Sequence, residues 1–170
     1  MISQTRKTKS YRTVKPAEIF GDPACFLAFG FGSGLAPVAP GTFGTLAAIP
    51  IYWLTASLGE PFYSSAVVAL LIAGIYICGQ CEQRLGVEDH PGIVWDEIVG
   101  FLITLMFVPP SWEWVLAGFL IFRLFDIWKP WPIAMFDRTV HGGLGIMLDD
   151  ALAGICSAIC LLSLRIGFGI

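Results

Sequence analysis

Residues 123–150 read RLFDIWKPWPIAMFDRTVHGGLGIMLDD, lying between apolar runs at 112–128 and 149–168. They gather Arg123, Asp126, Lys129, Asp137, Arg138, His141, Asp149 and Asp150, punctuated by prolines and glycines. Both flanking runs have the length and composition of membrane helices. Ionisable groups against hydrocarbon are costly, and where they occur they mark function.

The rest of the chain fits that setting. Of 170 residues, 56% are hydrophobic and only 14% charged, and the mean hydropathy is +0.75. An ordinary soluble domain carries about a quarter charged residues. The fold class expected is all-α: a multi-pass helical membrane protein of about five spanning helices plus a short interfacial or re-entrant N-terminal segment. That segment, residues 20–45, is apolar but broken by glycine or proline every few positions. The spans expected are 45–58, 62–81, 93–108, 112–128 and 149–168. The third is only about 24 Å long as a helix, so crossing a bilayer draws Asp96 and Glu97 to interfacial depth.

Residues 1–19 carry Arg6, Lys7, Lys9, Arg12 and Lys15, with no small-residue cleavage site after them. They read as a cytoplasmic basic tail rather than a signal peptide, and residues 20–170 as a single membrane-embedded catalytic domain. If the spans alternate, the tail, Arg84, Arg123, Lys129 and Arg138 share one side, while the turns at 59–61 and 109–111 carry no Lys or Arg. The positive-inside rule makes the charged side cytoplasmic. Gly41, Thr42 and Thr45 then open the first span, Asp96 and Glu97 the third and Asp149 and Asp150 the fifth. Arg123, Asp126 and Lys129 close the fourth. All four groups fall at one membrane surface, where they can form one site.

Five cysteines, an odd count sitting mostly in apolar runs, read as buried small hydrophobes rather than a disulfide framework. Cys78 and Cys81 match C-x-x-C, and Cys78 with Arg84 matches C-x5-R. The helix end they occupy lacks the exposed electropositive setting that thiolate chemistry needs. His90 and His141 have no helical histidine partner, so no zinc site is read. A net charge of -3 without a basic aromatic strip gives no indication of nucleic-acid binding.

Two acidic pairs and Asp126 offer hard oxygen ligands suited to Mg²⁺ or Mn²⁺. Gly100 and Gly154 follow Asp96 and Asp150 at i+4, so a helix or ligand can approach beside each carboxylate. Carboxylates at helix starts can also be plain caps. Arg123 and Asp126 share a helix face at i, i+3 and either neutralise each other or serve a ligand. Arg123 and Lys129 suit phosphate, one as a fork and the other as a point charge. PGTFGT at 40–45 places glycines and hydroxyls at a helix opening, where free amides bind anions.

The motifs GFGSGLAPVAPGTFGT (30–45), WDEIVG (95–100), FRLFDIWKPWPI (122–133), FDRTVHGG (136–143) and GIMLDDALAG (145–154) resemble the phosphatidylglycerophosphatase A family of bacterial membrane enzymes. The resemblance covers about residues 25–160. It implies Mg²⁺-dependent removal of the terminal phosphate from phosphatidylglycerophosphate, giving phosphatidylglycerol in the inner membrane. On that reading Asp96, Glu97, Asp149 and Asp150 hold the metal, and Lys129 and Arg123 stabilise phosphoryl charge. A competing mechanism makes Asp126 a nucleophile that forms an aspartyl-phosphate. Two other classes stand beside the enzyme: a small cation transporter and a non-catalytic lipid-binding subunit.

Overall fold

The computed structural model describes residues 14–88, 90–131, 133, 135 and 139–169. The tail positions Arg6, Lys7, Lys9 and Arg12, and Asp137 and Arg138 of the central loop, lie outside the described residues. Among the described residues every regular element is helical.

The N-terminal segment is broken as its composition predicts. Helix α1 (Pro16–Phe20) and helix α2 (Pro23–Ala28) are followed by a 3-10 stretch, Gly30–Leu35. Asp22 caps α2 by accepting from Cys25 N–H at 3.0 Å. Ala28 O then accepts from Val94 N–H at 2.8 Å, which docks this segment on the start of a later helix.

Helix α3 (Pro40–Ala56), α4 (Glu60–Leu85), α5 (Trp95–Thr104), α6 (Trp112–Trp128) and α7 (Gly142–Phe168) follow. Among the described residues, only α4 and α7 are long and apolar enough to cross a membrane by the usual length test. The other three fall short of the five spans expected. The 17-residue α3 and α6 reach about 25 Å against a ~30 Å hydrocarbon core. The 10-residue α5 replaces the longer run expected at 93–108. It ends in a turn in which Leu105 and Met106 N–H donate to Leu102 and Ile103, and Arg165 donates to Phe107 O at 2.8 Å.

Helix α7 begins seven residues before the expected start at Asp149. Gly143 and Gly145, which weaken a helix in isolation, are required here by packing. A side chain at Gly143 would strike Ile75 O and the backbone of Gly79, and one at Gly145 would strike Val140. Asp149 and Asp150 therefore sit two turns inside the helix, and the reading of this pair as a helix start is corrected.

Helix α5 is the most enclosed element, with Ile98, Val99, Phe101 and Leu102 fully buried. It is held to α4 by Tyr63 O–H donating to Leu102 O at 2.5 Å and Trp95 Nε1–H donating to Leu70 O at 3.2 Å. Against α7 it packs backbone on backbone. An added Cβ on Gly154 would collide with Gly100 O, and one on Gly100 would lie 2.6 Å from Asp150 O.

The cysteine reading also needs correction. Cys25 and Cys81 form a disulfide with Cα atoms 4.8 Å apart, tying α2 to α4, while Cys78, Cys156 and Cys160 are free. Arg84 adds an ion pair to Asp22 across the same junction. The partners are 56 residues apart, so only the fold could pair Cys81 with Cys25 rather than with its C-x-x-C neighbour.

Gly154→Ala should lower stability by about 1–3 kcal/mol through overpacking at the α5–α7 crossing, read as a fall in Tm in detergent. Gly167→Ala, where an added Cβ meets nothing, should leave Tm unchanged or slightly raised.

Candidate active site

The Gly100–Gly154 crossing determines what happens one turn away. Asp96 and Glu97 occupy the first turn of α5, and Asp150 lies one turn before Gly154 on α7. Close approach of the two backbones therefore brings these three carboxylates together. One oxygen from each lies within 4.8 Å of the others. Asp150 is only 3% exposed. Asp96 Oδ1, Glu97 Oε2 and Asp150 Oδ1 are buried without a hydrogen-bond partner.

Three carboxylates this close repel one another, and a buried polar atom without a partner is costly. A cation answers both problems. Hard oxygen donors with room left for water and phosphate fit Mg²⁺ or Mn²⁺, so the residues present suit the metal that the motifs imply.

Helix α3 closes one wall. Gly41 rests against Glu97 so tightly that a Cβ there would strike Glu97 Oε1 and lie 3.1 Å from an Arg123 guanidinium nitrogen. Thr45 turns inward, but its hydroxyl donates back to Gly41 O at 2.9 Å. Thr42 and Phe43 N–H both donate to Ala39 O. These amides are used within the turn, so the PGTFGT opening acts more as a close-packed wall than as an anion cradle. Thr42 is half-buried at its edge.

Helix α6 supplies the positive charge. Arg123 is ion-paired with Asp126, both largely buried, and its Nε has no hydrogen-bond partner. Asp126 also interacts with Asp150 and Glu97, which puts it at the rim of the triad. Lys129 ends α6, and its ammonium meets Asp149 Oδ2 at 2.5 Å. Among the described residues, the acids and cations expected from sequence to form the site lie in this region, with one redistribution: Asp149, expected beside Asp150 as a metal ligand, holds Lys129. Adjacent helical residues point about 100° apart, so the two aspartates serve different neighbours. Sequence reasoning missed the seat of Gly41 on Glu97. A glycine at a helix opening is the trace it leaves, and in the sequence alone that glycine suggests exposed amides instead.

Clustered acids joined by a guanidinium and an ammonium on apolar helices are the equipment of a phosphoric monoester hydrolase acting on lipids. The family model described as Phosphatidylglycerophosphatase A matches residues 26–165, and the chain belongs to that family. It is 54% identical over 138 residues to "Phosphatidylglycerophosphatase A" of Escherichia coli (strain K12), covering 81% of this chain and 80% of that one. The Haemophilus influenzae protein of the same name is 43% identical over 146 residues, covering 85% and 90%. A Bacteroides thetaiotaomicron protein, provisionally named a phosphatidylinositol-3-phosphatase, is 41% identical over 141 residues, covering 78% and 87%. No solved structure matches the chain.

Gly41→Ala should push Glu97 off the triad and cost about 10²-fold in phosphate release. The check is a steady-state assay beside a melting curve, with the curve expected to stay near wild type.

Proposed function

We propose that this phosphatase removes the terminal phosphate of phosphatidylglycerophosphate at the cytoplasmic face of the bacterial inner membrane, using Mg²⁺ held by Asp96, Glu97 and Asp150. The observation that carries the metal reading is the triad of buried, unpartnered oxygens. The membrane reading rests on α4 and α7 together with an apolar stripe on α6. Leu116, Leu120, Leu124 and Ile127 are all exposed there, a surface suited to lipid rather than water. In this reading α3, α5 and α6 are embedded as well, giving the multi-pass arrangement, and the positive-inside rule orients the basic N-terminal tail and the site to the cytoplasm.

A divalent ion in the triad supplies charge neutralisation for the phosphoryl oxygens and an activated water. The chain's own residues do the rest. Arg123, fixed by Asp126, offers its guanidinium fork to equatorial oxygens of the transferred phosphate. Gly41 holds the wall close enough for Glu97 to stay aimed at the triad. Asp126 is engaged with Arg123, which favours direct attack by water over an aspartyl-phosphate. The substrates that the relatives' names specify share one chemistry: a phosphodiester and a phosphomonoester joined through a short polyol.

Phosphate release from phosphatidylglycerophosphate should require added Mg²⁺ and stop with EDTA. Asp96→Asn, Glu97→Gln and Asp150→Asn should each lose about 10²-fold or more, with partial rescue at high Mg²⁺. Activity that survives EDTA would remove the metal from the reading. With a phosphate made chiral by oxygen isotopes, direct attack by water should invert the configuration at phosphorus, and retention would instead establish the covalent route.

A further inference from the structure

The N-terminal segment has no part in the chemistry above, yet it ends on the helix that carries two of the three acids. Helix α5 has only 10 residues, and its N-cap, Val94, supplies no side-chain cap. A helix this short does not hold itself together. Asp96 and Glu97 stand in its first turn, within reach of Asp150, and repulsion among the three acids works to open that turn. Its order has to come from outside the helix.

Two contacts from the segment supply it. Val94 N–H donates to Ala28 O at 2.8 Å, and Gly30 and Gly44 approach Val94 so closely that a Cβ on either would strike it. The second contact is aromatic. The Phe31 ring lies 6.0 Å from the Trp95 ring and 5.8 Å from Phe26, within the range of favourable ring pairs. Trp95 is in turn keyed into α4. Its Nε1–H donates to Leu70 O at 3.2 Å, and a Cβ on Gly74 would lie 2.7 Å from its Cδ1. Phe31 has φ 59°, a left-handed backbone that is an outlier for a bulky residue, and it remains 48% exposed. Partial burial is a weak reason to hold phenylalanine there, and strain kept in place points to a side chain with a task. The segment that presents it is itself anchored, since the Cys25–Cys81 bond and the Asp22–Arg84 ion pair tie α2 to α4.

We propose that Phe31 is a positioning residue for the acidic triad: it holds Trp95 in its seat on α4 and so sets the rotation of α5 at which Asp96 and Glu97 meet Asp150. This rests on the reading of the triad as a metal site. Consecutive residues on a helix point about 100° apart, so a first turn keyed by Trp95 has the directions of the next two side chains fixed with it. Phe31 acts through Trp95 and is not itself a ligand. Groups that orient metal ligands from outside are worth about 10–100-fold in metal affinity or activity.

The test uses the full chain in detergent. Phe31→Gly and Phe31→Asn both suit a left-handed backbone and remove the ring, so Tm should stay near wild type. Mn²⁺ affinity by titration should fall about 10–100-fold, and metal-free protein should exchange its amides faster over residues 94–98 alone. Phosphate release from phosphatidylglycerophosphate should fall at low Mg²⁺ and recover at high Mg²⁺, with KM for the lipid unchanged. Phe31→Tyr, which keeps the ring, should restore metal affinity, exchange and turnover together. Unchanged Mn²⁺ affinity and exchange would overturn the proposal, and a raised lipid KM beside them would make Phe31 a lipid contact instead. Faster exchange spread over every helix would also overturn it, leaving Phe31 a plain packing residue. Wild-type protein without Mn²⁺ affinity would defeat the triad reading, a failure that the metal-free exchange separates from failure of the Phe31 contact.

Discussion

The contact on which the site depends is made without side chains. Helices α5 and α7 meet through Gly100 and Gly154, where a Cβ on either would collide with the opposing backbone. In the embedded arrangement proposed above, lipid removes the hydrophobic drive between helices, and close backbone packing of small residues is what would hold them. Here it also fixes chemistry, because the carboxylates lie one turn from the crossing. Separation of these helices by the width of a methyl group would dissolve the triad's geometry before it dissolved the fold.

Around that crossing the polar groups are distributed in matched sets. Three carboxylates face one another with oxygens left open. Two more are each committed to a cation, Asp126 to Arg123 and Asp149 to Lys129. Each cation is thereby held at a fixed place in a low-dielectric setting, where a loose arginine or lysine would fold back onto the nearest acid. Charge fixed in this way costs no reorganisation when an anion binds beside it.

Much of this was legible in the sequence. Trp112–Trp128 formed the helix its pattern predicts, and the i, i+3 spacing of Arg123 and Asp126 led to the ion pair found. The glycines at i+4 from Asp96 and Asp150 mark the helix approach they suggested. What was not legible depended on distant neighbours. Gly143 reads as a loop residue because its penalty is local while the packing against Ile75 and Gly79 that requires it is not. The Cys25–Cys81 bond and the turning of Asp149 to Lys129 have no periodic signature, since each joins positions brought together only by the fold. The run at 93–108 is longer in sequence than in the fold because composition marks apolar stretches and not helix ends, and α5 stops at Thr104 in an apolar context that allows it to continue.

The shortness of α5 has a consequence for the surrounding lipid. Its 10 residues cover about 15 Å, half of a ~30 Å hydrocarbon layer, and its neighbours α3 and α6 are themselves short. In the embedded arrangement proposed above, a bilayer meeting that side of the molecule would relieve hydrophobic mismatch by thinning. Thinning there would draw the polar boundary inward toward Asp96, Glu97 and Asp150 and bring a headgroup within reach of the acids.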